Sequence, residues 1–143
     1  MDATETAIAM DRKVLLSTLW IFAAFNYLYC DVLSLMDSEL LKQYLTGKVN
    51  GMEFSQGFLL GAAILVEIPI AMVLLSRVLK YRVNRWANII AGVVMTLVQA
   101  ASLFAGTPSM YYVFCSALEI TSTILIVWFA WNWHDDSRYL QKG

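Results

Sequence analysis

Three carboxylic acids fall inside apolar stretches of this chain: Asp31, Glu67 and Glu119. A polar group held in hydrocarbon costs a few kcal/mol, so acids retained there are the first candidates for chemistry. A protonated carboxyl donates one hydrogen and accepts others, and an ionised one holds a cation. The amides Asn26, Gln56, Asn88 and Gln99 and the phenol Tyr27 share the same stretches and enlarge the set that can orient a small molecule. No Lys or Arg lies within these stretches to neutralise Glu67 or Glu119. Each is therefore expected to carry a proton at neutral pH unless water or a cationic ligand reaches it.

The elements that position these groups are long apolar runs. Of 143 residues 59% are apolar, with a mean hydropathy of +0.61, which lies outside the usual soluble range. The runs are Val14–Leu35, Phe54–Leu75, Trp86–Phe104 and Met110–Trp133. Each meets the ~20 residues a helix needs to cross ~30 Å of hydrocarbon. The expected fold is all-α: an integral membrane four-helix bundle, one domain over residues 1–143. A soluble helical protein is a poor alternative, because too little polar sequence remains to coat four apolar helices.

Placement of the cations orients the bundle. Arg12 and Lys13 precede the first run, Arg77, Lys80, Arg82 and Arg85 separate the second from the third, and Arg138 and Lys142 follow the last. Only Lys42 and Lys48 lie between the first two runs, and Gly106–Ser109 contains none. The positive-inside rule then puts both termini and the middle loop on the cytoplasmic side, in a multi-pass protein of the cell (inner) membrane. Tyr111 and Tyr112 at the start of the last run, and Trp128, Trp131 and Trp133 at its end, read as interfacial anchors. Asp2, Glu5, Asp11 and the length of the first run argue against a cleaved signal peptide.

Between the first two runs, Asp37 is placed to cap a short helix, Leu40, Leu41, Tyr44 and Leu45 to give it an apolar stripe, and Gly47 to end it. This amphipathic helix is expected on the outer surface, resting on lipid or covering the mouth of the bundle. Pro69 leaves the carbonyl of Leu65 without its usual donor, which favours a kink beside Glu67. Gly57 and Gly61 permit close helix approach, within the chain or between chains.

Helical spacing gathers the polar groups into stripes: Trp20, Ala24, Tyr27, Asp31 and Ser34 on the first run, Gln56 and Glu67 on the second, Asn88, Gly92, Met95, Gln99 and Ser102 on the third, and Tyr112, Ser116, Glu119 and Thr123 on the fourth. At ~1.5 Å per residue, Asp31 and Gln56 lie within roughly 5 Å of the outer border, Gln99 about 10 Å, Glu119 about 14 Å and Glu67 about 20 Å inward, with Asn88 near the inner border. The stripes are expected to face one interior, with Glu67 the leading acid because it is deepest and adjoins Pro69.

Other chemistry lacks its residues. Cys30 and Cys115 fall at similar depth but form no C-x-x-C, and read as inert buried thiols. His134 alone cannot supply paired haem ligands, and no carboxylate and histidine cluster reads as a metal site. No nucleotide loop, nucleophile motif or nucleic-acid patch is present, so no cofactor, metal or nucleic acid is expected.

The stretches Asn26-Tyr27-Leu28-Tyr29-Cys30-Asp31, Glu67-Ile68-Pro69-Ile70-Ala71-Met72 and Asn84-Arg85-Trp86-Ala87-Asn88 resemble those of an uncharacterised group of bacterial four-helix membrane proteins, similar in layout to the DoxX-like class. The resemblance covers nearly the whole chain. Some members of that class are associated with quinone-linked oxidation. Distant eukaryotic relatives such as the sigma-2 receptor resemble sterol isomerases that hold amines between membrane acids, which implies such a role for Asp31 and Glu67.

The leading expectation is an outward-opening intramembrane pocket lined by Asp31, Gln56, Glu67, Gln99 and Glu119, taking a lipophilic molecule with a cationic or hydroxyl group. An enzymatic variant would use Glu67 or Glu119 as general acid and base, and whether the chain is an enzyme is left open. The alternatives are proton-coupled export or ion conduction by a homo-oligomer, and an accessory membrane subunit. The partners implied are membrane lipids, a small lipophilic ligand and, on the oligomer alternative, further copies of the chain, with no nucleic acid.

Overall fold

Each apolar run forms one helix in the computed structural model, which describes residues 3–134. Asp2, Arg138 and Lys142, and the side chains of Glu5 and Asp11, lie outside what is described. The helices are α1 (Ala3–Met36), α3 (Gln56–Val78), α4 (Tyr81–Ser102) and α5 (Met110–Trp131). A short helix α2 (Ser38–Thr46) and two strands, β1 (Lys48–Val49) and β2 (Met52–Glu53), join α1 to α3.

Three of these helices, α3, α5 and the Arg12–Met36 part of α1, are long and apolar enough to cross a membrane. The exception is α4, which carries Arg82, Asn84, Arg85, Asn88 and Gln99. Asn84, Asn88 and Gln99 are buried, whereas Val83, Trp86, Ile90, Val93 and Leu97 are exposed. This helix thus turns an apolar face outward and buries its three amides among Ile89, Ala91 and Met95, unlike a helix on a water-soluble protein, whose outer face is polar.

α1 packs against both α3 and α5, α5 packs against α4, and α3 meets α4 over a much smaller area. Leu16, Trp20, Ala23, Met95, Ile126 and Ala130 are central to the apolar core. Close approach of α4 to α5 depends on Gly92, where a Cβ would stand 2.6 Å from Val127 Cγ2 and 3.3 Å from the Thr123 carbonyl oxygen.

The corner between α3 and α4 is tighter than the basic stretch 76–85 suggests. Only Leu79 and Lys80 separate the helices, because Asn84 Nδ2 donates to the Ser76 carbonyl at 2.7 Å and folds the chain back on itself. Arg77, Arg82 and Arg85 consequently sit on helix ends. Arg85 donates to the carbonyls of Ala130 and Trp131 at 3.2 and 3.0 Å, tying the start of α4 to the end of α5.

The connector at the other end begins as its caps dictate. Asp37 accepts hydrogen bonds from the backbone of Glu39 and Leu40 at 3.0 and 3.3 Å, and Gly47 ends α2 at φ 72°. Of the expected apolar stripe, Leu40 and Tyr44 are half-buried while Leu41 and Leu45 are exposed. The hairpin that follows pairs Lys48 with Glu53 and Val49 with Met52. Asn50 and Gly51 both take positive φ, 48° and 81°, as a type I′ turn requires. Val49 is buried, and the Asn50 side chain packs so closely on Gly106 that a Cβ there would lie 2.8 Å from its nitrogen. The hairpin therefore rests on the α4–α5 turn. Tyr44, Phe54 and Phe58 form an aromatic column with centroids 5.7 and 5.0 Å apart, leaning α2 on the start of α3.

Candidate functional site

On α5 the Glu119 carboxyl is buried, with only 1% of the residue exposed. Among the described residues neither of its oxygens has a hydrogen-bond partner. The expected stripe on this helix holds, since Ser116, Glu119 and Thr123 all point inward. Ser116, one turn away, accepts from Gln99 Nε2 of α4 at 2.8 Å. Asp31, Tyr27 and Tyr112 lie within electrostatic reach of Glu119.

Tyr27 gives this acid a neighbour with the same defect. Its hydroxyl is buried and also lacks a partner among the described residues. Its ring helps to wall a groove of about 200 Å³ between α1 and α3, with Phe25, Leu28, Asp31, Val66 and Pro69. Tyr112 faces a second space of about 240 Å³, beneath α2 and the hairpin, whose floor includes Ser34, Ser102 and Tyr111 and whose roof includes Tyr44 and Asn50. Tyr112 donates to Ser102 at 2.8 Å, and Ser102 donates to the Gln99 carbonyl at 2.7 Å. Burial, and after it the Asp31 carboxylate, push the Tyr44 phenol above its ordinary pKa. Asp31 thus acts electrostatically on the roof of one space while lining the other. Cys30 and Cys115, both buried and free, lie near one another between α1 and α5 at this level.

Tyr27 and Asp31 therefore lie within electrostatic reach of Glu119, with Gln99 held on Ser116 one turn away and Asp31 exposed at the groove, while the other candidates lie apart. Glu67 is exposed, in a shallow depression on the outside of α3 with Ala63, Ile64, Ile68 and Ala71. The inner face of α3 is Leu65, Pro69, Met72 and Ser76, at steps of i, i+4, i+7 and i+11. Two residues on from Leu65, Glu67 points roughly 200° away from that stripe. Gln56 shares its face, as the eleven-residue spacing implies, and is likewise exposed. The expectation that Glu67 leads the interior acids is corrected, and Glu119 takes that place.

Asn88 belongs to a different network. Its Oδ1 accepts from Trp20 Nε1 at 2.7 Å and Ser76 Oγ at 3.1 Å, and its Nδ2 donates to Asn84 O and Oδ1 at 2.8 and 2.7 Å. No capacity remains for a ligand. Asn26 is half-buried, and its amide is turned back onto the Phe22 carbonyl at 2.8 Å. Along α1 the buried stripe runs through Trp20, Cys30 and Ser34, which leaves Asp31 at its edge, facing the groove.

The roof residues Val49 and Asn50 were not among the sequence candidates, whereas Ser34 was expected on an inward stripe and Tyr44 on a helix resting on lipid or covering the mouth. The dipeptide Asn50-Gly51, between Lys48-Val49 and Met52-Glu53, is a strong hairpin signal that could have found the roof. Tyr111 read only as an interfacial anchor, a role that hid its part in lining the space, whereas Tyr112 was also expected on the inward stripe of the last run.

The chain matches the family described as "Family of unknown function (DUF6326)" over residues 6–139, and it belongs to that family. No curated protein and no solved structure matches it.

Proposed function

We propose that the protein crosses the cell membrane four times with both termini cytoplasmic, in a DoxX-like layout, and that it holds a small lipophilic molecule bearing a cationic or hydroxyl group at Glu119. The observation that carries this reading is the Glu119 carboxyl itself, buried, with both oxygens free of partners among the described residues. Buried polar atoms are nearly always paired, and an acid left bare suits a donor brought by a ligand. Tyr27, with a free hydroxyl, and Asp31, on the groove, provide a second contact and a route of approach between α1 and α3.

Membrane residence is supported by the three apolar helices and by the outward apolar face of α4. Arg77, Lys80 and Arg82, which have no ion-pair partner among the described residues, gather at the corner end, where anionic head groups would meet them. The ion pairs found among the described residues, Lys42–Glu39 and Lys48–Glu53, lie at the opposite end.

The test uses purified protein in lipid nanodiscs and a panel of lipophilic amines with matched neutral alcohols and hydrocarbons. Amines or alcohols should raise the melting temperature of the wild type. Glu119→Gln, which cannot become negative, should lose the response to amines, and Glu119→Leu the response to both classes. Hydrocarbons that stabilise as well as amines, or a Glu119→Leu protein that responds like the wild type, would refute the site.

A further inference from the structure

We propose that the outward face of α3 is a docking surface for a second copy of this chain, with the two Glu67 carboxyl groups meeting across a two-fold axis. The chain's own helices leave this face open. From Gln56 to Ile68 no residue of α3 is buried. A Cβ on Gly61 would meet nothing within 4 Å, and one on Gly57 only the neighbouring Ser55 hydroxyl. Neither glycine is spent on packing within the chain, but Gly61 lies roughly 120° and Gly57 roughly 80° round the helix from Glu67, so the pair flanks the face centred on the acid and is not part of it. Around Glu67 the exposed surface is apolar, with Leu60, Ile64, Ile70 and Leu74. The acid sits in a depression because Ala63 and Ala71, one turn to either side, are small.

The occupant follows from the chemistry of the carboxyl and from its depth. Lipid tails offer neither donor nor acceptor, and none of the apolar runs holds a Lys or Arg that could serve as a partner. Two copies with the same orientation are related by an axis along the membrane normal, so each residue meets its equivalent at the same height. A protonated carboxyl is both donor and acceptor and is complementary to itself, forming two reciprocal hydrogen bonds with its twin. The flanking alanines let the two helices approach closely enough for this. A partner with another sequence would have to bring its own polar group to that depth; a second copy does so automatically.

The inference rests on the membrane-spanning reading and is independent of the pocket at Glu119. The test is oxidative crosslinking in native membranes, in a Cys30→Ala/Cys115→Ala background. Ala63→Cys and Ala71→Cys should give disulfide-linked dimers, while Ile90→Cys on α4 and Phe114→Cys on α5 should not. Dimerisation in lipid, read by energy transfer between labelled copies, should survive Glu67→Gln, whose amide also donates and accepts. It should weaken roughly tenfold or more in Glu67→Leu, the loss expected for two interhelical hydrogen bonds. Crosslinking no greater than at the controls, or Glu67→Leu dimerising like the wild type, overturns the proposal. A chain found in the soluble fraction would overturn it together with the membrane reading, whereas a membrane-resident monomer would overturn it alone.

Discussion

The Trp20 indole of α1 donates to the Asn88 side-chain oxygen of α4 at 2.7 Å, linking two helices that do not pack side by side. Ser76 of α3 donates to the same oxygen at 3.1 Å, so one amide ties three helices. Asn88→Leu would orphan both donors and the Asn84 side-chain oxygen. A loss of about 3 kcal/mol or more is expected, since three buried groups are left unpaired at about 1–3 kcal/mol each. Thermal unfolding in mild detergent measures it, and a loss below that of an exposed control such as Ile90→Ala would mean that the network contributes little.

Glu119 should behave in the opposite way. Replacing it with Met or Leu removes two buried oxygens that have no partner, so the protein should gain about 1–3 kcal/mol. The same assay reads the gain. A destabilised Glu119→Leu protein would show that the carboxyl holds the fold together, as a strut and not as a site.

Gly92→Ala places a methyl group 2.6 Å from Val127 Cγ2 and should cost about 1–3 kcal/mol. Val127→Ala should restore much of that loss. Gly61→Ala, which meets nothing within the chain, should leave monomer stability unchanged or slightly improved.

Proximity of Cys30 and Cys115 predicts an intramolecular crosslink. Treatment of membranes with a permeant oxidant should yield a monomer of altered electrophoretic mobility, reversed by reductant and absent from Cys30→Ser. Both thiols are buried, so a bulky maleimide should label them only after denaturation. Ready labelling of the native protein would place α1 and α5 differently from what is described here.

Orientation is checked by single cysteines in a background lacking the native pair. An impermeant reagent added outside intact cells should label Lys48→Cys and Thr107→Cys and spare Arg82→Cys. Labelling of position 82 would invert the topology and with it the side from which the space below the hairpin is reached.

Much of the helical framework was readable in the sequence because apolar length and capping chemistry are local properties. Asp37 and Gly47 bound α2 as their types require, and the stripe through Ser116, Glu119 and Thr123 faces inward as its spacing implies. Glu67 was misplaced for a physical reason. In water an apolar stripe marks the inside of a helix, but in lipid both faces are apolar, and a polar residue becomes the guide to the interior. That guide fails where a polar residue serves the outer surface. The direction of α3 is set by Pro69, Met72 and Ser76, residues whose types reveal nothing about facing. Asn88 was misassigned because its saturation depends on Trp20, Ser76 and Asn84 together, and no spacing within one helix reports that.

The buried amides of α4 also bear on how the chain enters a bilayer. Partitioned alone, this helix would carry Asn84, Asn88 and Gln99 into hydrocarbon with only the Asn88–Asn84 bonds made, at a cost of a few kcal/mol for each group left bare. Their partners outside α4 include Trp20, Ser76 and Ser116, on three different helices. On the membrane reading, α4 cannot be a self-sufficient insertion signal. Its two-residue corner with α3 delivers it beside Ser76, α1 is already synthesised to receive Asn88, and the partner for Gln99 arrives last, with α5. Until then Gln99 lacks the acceptor that Ser116 supplies, so on this reading the buried face of α4 is completed only once α5 is in place.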